Sequence, residues 1–307
     1  MSVPESTPDV LADVLRELRF SSAAYRWIEL GHPFRIGFTV AGLCGVHLIA
    51  GGACDLVLAD ETSPLAAGDT VILPRGDPHE LRSGATRHLI SGVELASRTP
   101  GARLRGGGPG AVTTVVCGAF VVGEPAHPAL RGLPRVLRIP GADGRPPAWL
   151  TPYVEALRAE AFDGGPGSEV VMARLSDALL ARAIRHHGAT TDRPGWLAGL
   201  RDPPVAAALA ALHGDLARPW TLASLASVAG LSRTGLAARF TSRVGEPAMS
   251  YLTSLRMQRA RTLLRDERMT VAAVAARVGY ASDVAFSAAF KRETGVPPAT
   301  WRRSSTL

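Results

Sequence analysis

Two histidines are the first candidates for chemistry in this sequence. His79 ends the pattern Gly-x5-Pro-x-Gly-x2-His that starts at Gly68, and a turn at 74–76 after a buried strand at 70–73 would aim its imidazole inward. His47 lies in another short apolar run. An imidazole can ligate a metal or hydrogen-bond to a bound molecule, but one or two histidines make a poor metal site. The pair therefore favours a metal-free ligand pocket, and the alternative is that each histidine is a hydrogen-bonded core or rim residue.

Three cysteines offer thiol chemistry. Cys44, Cys54 and Cys117 are odd in number and lack the spacing of a metal finger, which is typical of a protein in a reducing cytoplasm. Cys54 and Cys117 lie in apolar runs, where we expect buried, inert thiols. Cys44 lies between Gly42 and Gly45, so it is the most exposed candidate for sensing an oxidant.

Positive charge is concentrated at one end of the chain. The 307 residues carry a formal net charge of +7, and residues 196–307 alone hold 15 Lys and Arg against 7 Asp and Glu. A basic segment of this kind attracts a polyanion such as DNA. The sequence contains no signal segment and no apolar run long enough to span a bilayer, so we expect a cytoplasmic protein with no membrane partner.

The basic segment contains the same short unit twice, about fifty residues apart. Each copy reads as a helix, a tight turn and a second helix, which is how many proteins place a helix in a DNA groove. Glycine suits the turn because the backbone there adopts unusual angles, and serine suits the start of the second helix as a cap. An amphipathic helix at 249–265 would fix the spacing of the two units. The matching pairs are Gly230 and Gly279, Ser232 and Ser282, Leu236 and Phe286, Phe240 and Phe290, and Gly245 and Gly295.

The second helix of each unit has an apolar inner side and an outer side that is free to meet DNA. We expect residues in its first turns to reach base edges and the cations Arg239, Arg243, Lys291 and Arg292 to reach phosphates. The expected DNA contacts are Ser232, Arg233, Thr234, Gly235, Arg239 and Arg243 in the first unit, and Ser282, Asp283, Val284, Ala285, Ser287, Lys291 and Arg292 in the second.

The rest of the chain divides into a helix, a sheet-forming region and a helical connection. Short apolar runs cut by Gly, Pro and Asp predict strands in a small barrel or sandwich. The Gly-rich stretch 101–110 lacks the ending of a phosphate loop and predicts a hairpin loop. Helices are expected at 10–18, 149–162 and 168–186, the last ending at Gly188. The expected strands are 36–40, 46–50, 55–58, 70–73, 88–93 and 112–116.

Residues of the second unit carry a resemblance to a known family. Gly279-Tyr-Ala-Ser282, Phe286, Phe290-Lys-Arg292, Gly295-Val-Pro-Pro298 and Trp301-Arg-Arg303 match the signature of the AraC/XylS-type transcription regulators. The resemblance covers about residues 220–303. It implies two recognition helices on one polypeptide that enter successive major grooves of promoter DNA, with 249–265 as the linker helix and RNA polymerase as a further candidate partner.

The chain departs from that family where a base-reading arginine is common. The matching positions in the recognition helices are Ala238 and Ala288. A bidentate arginine–guanine contact contributes about 1–3 kcal/mol of discrimination, so its absence favours readout through other side chains and groove shape. Asp283 can accept from a cytosine amino group or, as we favour, stabilise its own helix N-terminus.

The first half resembles cupin barrels. Gly68–His79 is similar to the second cupin motif, while the earlier motif, with two histidines and a glutamate, is reduced to His47. The resemblance implies a cupin-like effector domain of the kind that precedes AraC-type DNA-binding domains, with His47 and His79 as candidates for an effector pocket. It also implies that the helices at 149–162 and 168–186 form the contact of a homodimer.

These features predict an α+β multidomain transcription regulator that responds to a small effector or a stress signal. A cupin-like sensor domain at 1–140 is followed by a linker with dimerisation helices at 141–195 and a double helix-turn-helix domain at 196–307. We expect no enzyme activity, cofactor or bound metal. One alternative is a metal-dependent cupin enzyme tethered to a DNA-binding domain, which stoichiometric iron, zinc or manganese would favour. A second alternative, a protein that does not bind DNA, draws only on the two missing arginines.

Overall fold

The chain forms two compact units in this computed structural model. The structure describes residues 9–18, 20–40, 43–98, 103–122, 130, 132–266 and 268–304. The sheet unit comprises the described residues within 15–125 and 133–187, and the helical unit comprises those within 1–14, 126–132 and 188–307. The sequence-predicted boundary at 196 therefore lies eight residues beyond the point at which one unit gives way to the other.

Two β-sheets form the body of the sheet unit. In chain order the described strands are β1 Phe20–Gly31, β2 Phe34–Phe38, β3 Leu43–Gly51, β4 Ala53–Leu58, β5 Glu61–Ala66, β6 Thr70–Leu73, β7 His79–Ser83, β8 Ile90–Ser91, β9 Arg103–Gly107, β10 Val112–Val122 and β11 Leu137–Ile139. One sheet has the order β11-β6-β3-β10-β1-β9 and the other β5-β4-β7-β2-β8. β1 pairs with β9 and β2 with β8 in parallel, and the other pairs named in the registers are antiparallel.

The core of the sheet unit takes inward side chains from both sheets. Along β4 the burial alternates with the two-residue period of a strand that has one face toward a core. The buried cluster consists of Ile28, Leu30, Phe34, Ile36, Ile49, Cys54, Leu56, Leu65, Val71, Leu81, Leu104, Val115 and Cys117. The sheet-forming domain predicted from the short apolar runs is confirmed, with two sheets around one core.

Two stretches of the sheet unit differ from the sequence prediction. The run at 88–93 was expected to be a strand, but only Ile90–Ser91 is one, and a helix α2 (Gly92–Arg98) follows it. The expected loop at 101–110 contains β9, which pairs with β1. A side chain at Gly31 would overlap the carbonyl oxygen of Gly108, so glycines here serve close approach of two backbone segments.

Three further helices belong to the first part of the chain. The predicted helix at 10–18 is confirmed as α1 (Val10–Leu18), and the predicted connecting helices are α3 (Thr151–Asp163) and α4 (Ser168–Thr190). Helix α4 runs past Gly188, where the sequence predicts its end, and continues to Thr190. α3 packs against the sheets through an edge-on contact of Phe162 with Trp27, whose ring centroids are 5.2 Å apart.

The helical unit contains both copies of the predicted helix-turn-helix. The first copy is α7 with α8, the second is α10 with α11, and α9 joins them close to the predicted linker at 249–265. Thr221 and Thr270 cap α7 and α10 with their side chains. The helices are α5 Trp196–Leu200, α6 Pro203–Gly214, α7 Leu222–Val228, α8 Arg233–Val244, α9 Ala248–Leu264, α10 Val271–Arg277, α11 Asp283–Thr294 and α12 Pro298–Ser304.

The inner faces of the recognition helices α8 and α11 are buried where the sequence predicted. Leu236, Phe240, Phe286 and Phe290 have no exposed surface. Phe240 meets Tyr251 of α9 edge-on at 5.9 Å between ring centroids. The recognition helices are therefore held by their apolar sides, and the opposite sides face outward.

Among the helices of the described residues, none combines the length and the apolar character needed to cross a membrane.

Candidate nucleic-acid interface and effector cavity

Both recognition helices start from the same local arrangement. Gly230 and Gly279 have φ angles of 65° and 80°, a left-handed conformation that glycine adopts without steric cost. Ser232 Oγ then accepts a hydrogen bond from the amide of Gly235 at 3.1 Å, and the corresponding bond of Ser282 is 3.4 Å long. The predicted turns and N-caps are thus confirmed, and each serine is first of all a structural residue.

The outer faces of the two recognition helices differ in chemistry. In α8 the first turn exposes Arg233 and Thr234, while Gly235 is half-buried. In α11 the first turn exposes Asp283, Val284 and Ala285, and Ser287 is half-buried. Ala238 and Ala288, at the positions where the family often has arginine, are exposed on the same faces. All the predicted base-contacting residues therefore lie on accessible surface, and their contacts with bases stay predictions.

Two of the four predicted phosphate contacts have an intramolecular partner. The Nε atoms of Arg239 and Arg243 donate to the carboxylate of Asp202 at 2.9 and 3.2 Å. Their side chains are still 47% and 55% exposed, so the outer ends of both guanidinium groups are open to solvent. Lys291 and Arg292 are exposed, as predicted.

Asp202 is a functional candidate that sequence reasoning missed. Its side chain is 3% exposed and caps α6 by accepting from the amide of Val205. Burial by itself would raise the pKa of Asp202, but the bonds from Arg239, Val205 and Arg243 lower it, so the carboxylate is charged at neutral pH. An aspartate before Pro203-Pro204 is a recognisable helix start, whereas its pairing with residues 37 and 41 positions later is not visible in the sequence.

The linker helix fixes the two motifs through one arginine as well as through its apolar contacts. Arg256 Nε donates to the carbonyl of Leu216, and a terminal nitrogen donates to the carbonyl of Arg218, both at 2.8 Å. Its guanidinium lies 5.7 Å from the ring of Tyr280. Arg256 thus connects the segment before the first motif to the turn of the second. The segment and the turn approach so closely that a Cβ on Gly279 would lie 2.5 Å from the carbonyl oxygen of Ala217.

The sheet unit holds a cavity of about 200 Å³ beside the predicted pocket residues. His79 lines it, whereas His47 is fully buried and is not among the lining residues. A role of either histidine in binding an effector stays a prediction. The remaining walls are mostly apolar, and Arg26 is the charged residue among them. The lining residues are Arg26, Ile28, Phe38, Val40, Leu43, Cys44, Gly45, His79, Gly92, Val93, Cys117, Gly118 and Ala119.

A directed chain of hydrogen bonds runs behind the cavity wall. His79 Nδ1 lies 2.8 Å from the carbonyl oxygen of Asp77, which can only accept, so this nitrogen carries the proton. In a neutral His79 the Nε2 atom then accepts, and His47 Nε2 at 2.7 Å must donate to it. His47 Nδ1 is left as an acceptor for the thiol of Cys117 at 3.2 Å. Every partner is satisfied only while both imidazoles are neutral.

Burial keeps these histidines neutral. Desolvation lowers the pKa of His47 well below its ordinary value, and the neighbouring His79 lowers it further. The pKa of His79 is also lowered by burial, although the carbonyl and the charge of Asp77 oppose the shift. In the described residues, no group of three or more His, Cys, Asp or Glu side chains could hold a metal ion. The two imidazoles form a neutral hydrogen-bonded pair. Of the two, His79 faces the cavity.

The three thiols are all buried, and none of them forms a disulfide in the described structure. Cys44 is 4% exposed, so the expectation that it is an exposed thiol is wrong. It lies inside β3, and its Sγ donates to the carbonyl of Pro74 at 3.3 Å. Burial, together with the charge of Asp77, raises the pKa of Cys44 to about 12. The expected burial of Cys54 and Cys117 is confirmed, and a role of Cys44 in oxidant sensing stays a prediction.

Comparison with known protein families gives two matches. A family described as Cupin matches residues 9–189, and one described as Helix-turn-helix domain matches residues 225–304. The first covers the sheet unit with helices α3 and α4, and the second covers both recognition helices.

Several curated proteins are similar over almost the whole chain. A putative AraC-like transcription regulator of Streptomyces lividans is 34% identical and aligns with 97% of this chain and 99% of its own length. The HTH-type transcriptional regulator AlkR of Acinetobacter baylyi is 29% identical, with 97% and 100% covered. A solved structure of the DNA-binding domain of AdpA in complex with a target DNA is 32% identical, covers 34% of this chain and 92% of that chain, and has a TM-score of 0.32.

The carboxylate of Asp202 has two opposite effects on the affinity for DNA. Its negative charge weakens binding, and its bonds to two arginines position their side chains. Changing Asp202→Asn removes a negative charge, which alone would strengthen binding to DNA. Asparagine caps helices as well as aspartate does, but it orders the guanidinium groups less well. We expect affinity for duplex DNA to fall about fivefold, from a loss of ~1 kcal/mol of side-chain ordering, as measured by fluorescence anisotropy.

Asp192→Asn is the matched control, because Asp192 is a fully exposed carboxylate of the same unit. This variant should bind DNA as tightly as the natural chain or slightly more tightly. Tighter binding by both variants would show that Asp202 contributes only its charge.

The buried thiols lead to a prediction on reactivity. A rise in the pKa of Cys44 from 9.0 to about 12 lowers the thiolate fraction at pH 8 about a thousandfold. Iodoacetamide should therefore label Cys44 and Cys54 very slowly in the folded chain and rapidly in urea, as followed by mass spectrometry. Labelling of native Cys44 at the rate of the unfolded chain would contradict its burial.

The neutral histidine pair gives the stability of the sheet unit a defined pH dependence. Below the ordinary histidine pKa of about 6.5, the unfolded chain binds protons that the folded pair cannot accept. Stability should be level above pH 7 and fall as the pH drops below 6.5, by up to about 1.4 kcal/mol per pH unit for each histidine. Urea unfolding of the full chain between pH 8 and 5.5 measures this slope.

His47→Gln and His79→Gln should each reduce the slope, because each removes one group that titrates on unfolding. His88→Gln, at an exposed position, is the control and should leave the slope unchanged. Equal slopes in all three variants and the natural chain would exclude the pair as the cause.

Proposed function

The chain belongs to the AraC-like transcription regulators, and from that premise we propose that it controls promoters by placing α8 and α11 in successive major grooves. The observation that carries this proposal is the pair of matching recognition helices. Both are held by their apolar sides on one linker helix, with the opposite sides exposed. Successive grooves on one face of a duplex lie about 34 Å apart. Two helices on one unit can reach both grooves only if their spacing is fixed.

The two recognition helices offer different groups to the bases and similar cations to the phosphates. Arg233 and Thr234 supply hydrogen-bonding groups at the start of α8, and cations further along both helices face the phosphates. Because Arg239 and Arg243 are anchored on Asp202 through Nε, their terminal nitrogens remain to bridge from the protein to the DNA backbone. Lys291 and Arg292 serve the same purpose on α11. Phosphate contacts of this kind set register and orientation, whereas base contacts set sequence.

The sheet unit is the effector domain in this proposal. Its cavity of about 200 Å³ is smaller than the roughly 300–1,000 Å³ of pockets for drug-sized ligands. Neutral imidazoles and apolar walls offer no counter-charge to a cation, and burying a charge without a partner is costly. Arg26 also lines the cavity, which disfavours a cation further and offers a partner to an anionic group. We therefore propose a small, mostly apolar effector without positive charge, whose polar group meets His79 or Arg26.

We propose an effector domain rather than an enzyme. The imidazole nitrogens of His47 and His79 would have to ligate a catalytic metal. All of them are engaged in the hydrogen bonds that connect Cys117 to the carbonyl of Asp77. The curated relatives are named as transcription regulators. A cytoplasmic location is part of this proposal and is supported by three buried cysteines that form no disulfide.

A homodimer formed through α3 and α4 is the proposed assembly. These helices expose apolar side chains, with Phe162 at 39%, Val170 at 63% and Val171 at 43% exposure. Association of two copies through the same patch would remove this surface from water. RNA polymerase stays a candidate partner through the family resemblance alone.

The DNA-binding proposal is tested by binding titrations on a cognate and a scrambled duplex, after a footprint on the upstream region of its own gene has located the site. We expect two protected stretches about ten base pairs apart. Arg233→Ala should weaken cognate binding about tenfold or more, in line with the roughly 1–3 kcal/mol of a base contact, and leave scrambled binding nearly unchanged. Lys291→Ala should weaken both alike.

Arg87→Ala is the charge-matched control, because Arg87 is exposed between β7 and β8 in the sheet unit, away from α3, α4 and the recognition helices in the sequence. It should leave both affinities unchanged. Equal losses on cognate and scrambled DNA for Arg233→Ala and Lys291→Ala would overturn the division between base and phosphate contacts. A chain that protects no stretch and shows no salt-dependent binding would overturn the proposed function.

A further inference from the structure

Val284 is a strongly exposed apolar side chain near the start of the second recognition helix. At 74% exposure it is the most exposed large hydrophobic residue in the described part of the chain, and it is the second residue of α11. The helix itself gains little from it, because β-branched residues are poor helix formers and an exposed side chain contributes no burial. Its position is the one that Thr234 occupies on α8.

The surface around Val284 offers no group that reads guanine. The exposed residues of the first two turns of α11 are Asp283, Val284, Ala285 and Ala288. The first cation of α11 is Lys291, more than two turns into the helix. Arginine and lysine are the side chains that recognise guanine in the major groove, and none projects from the base-facing turns of α11. This face therefore carries two methyl-bearing alanines, one valine and one acceptor.

Only one group in the major groove matches an exposed branched methyl side chain. Each base pair presents hydrogen-bond donors and acceptors there, but thymine alone adds an apolar group, its 5-methyl. Asp283 beside Val284 adds a constraint of charge, because a carboxylate in the groove must meet an amino group, as on adenine or cytosine, and not a base acceptor.

We propose that Val284 reads the 5-methyl group of a thymine, so that the second motif selects its half-site by apolar contact while the first selects by hydrogen bonds. This inference rests on the proposed function. It assigns to α11 a thymine-containing half-site and explains how a recognition helix with alanine in place of the arginine common in the family still discriminates sequence. Burial of one methyl group against Val284 should change affinity about three- to tenfold.

Deoxyuridine provides the sharpest probe, because it differs from thymine only by the missing methyl. The bound sequence is first obtained by selection from random duplexes with the full chain. Each thymine is then replaced singly by deoxyuridine, and affinities are measured for the natural chain and for Val284→Ala. We expect one substitution to weaken the natural chain about three- to tenfold and to leave the affinity of Val284→Ala unchanged. That thymine should lie about ten base pairs from the bases that respond to Arg233→Ala.

Val112→Ala is the matched control, since Val112 is an exposed valine of the sheet unit. It should keep the full response to deoxyuridine. A deoxyuridine effect that persists in Val284→Ala, or the absence of any such effect at every thymine, would overturn the inference and leave the DNA-binding function standing. Selection that enriches no sequence would overturn the proposed function itself, and this inference with it.

Discussion

The fixed spacing of the two recognition helices is the constraint on which the DNA-binding role depends. One duplex offers its grooves at a set interval, so a hinge between the motifs would cost ordering free energy in every complex. Here the linker helix α9 packs on both motifs, and Arg256 adds hydrogen bonds to the carbonyls of Leu216 and Arg218. The close approach at Gly279 leaves no room for a side chain to separate the two parts. The spacing thus comes from the fold and not from the DNA.

In the sheet unit, two imidazoles and a thiol are buried beside apolar side chains and remain uncharged. The bonds from Cys117 through His47 and His79 to the carbonyl of Asp77 leave each buried donor with an acceptor. Phe38 lies against both imidazoles, with its ring centroid 4.5 Å from that of His47 and 5.0 Å from that of His79. A wall built in this way disfavours a positively charged guest, because a neutral imidazole offers it no counter-charge.

Features set by neighbouring residues could be predicted from the sequence, and those set by distant pairs could not. The caps at Ser232 and Ser282 depend on residues three positions away, so the local pattern was sufficient. The bond of Arg239 to Asp202 joins residues 37 positions apart, and the contact of His47 with Cys117 depends on the register of β3 with β10.

Cys44 was misjudged for a related reason. Its flanking glycines resemble a loop in the sequence, but the pairing of β3 with β10 and β6 places the residue in the interior.

Asp202 has a further consequence, because one carboxylate caps α6 and also anchors Arg239 and Arg243. Thermodynamic linkage is reciprocal. Contact of these arginines with a nucleic-acid backbone must stabilise the first turn of α6. Fraying of that turn must in return lower the affinity for the backbone by the same factor.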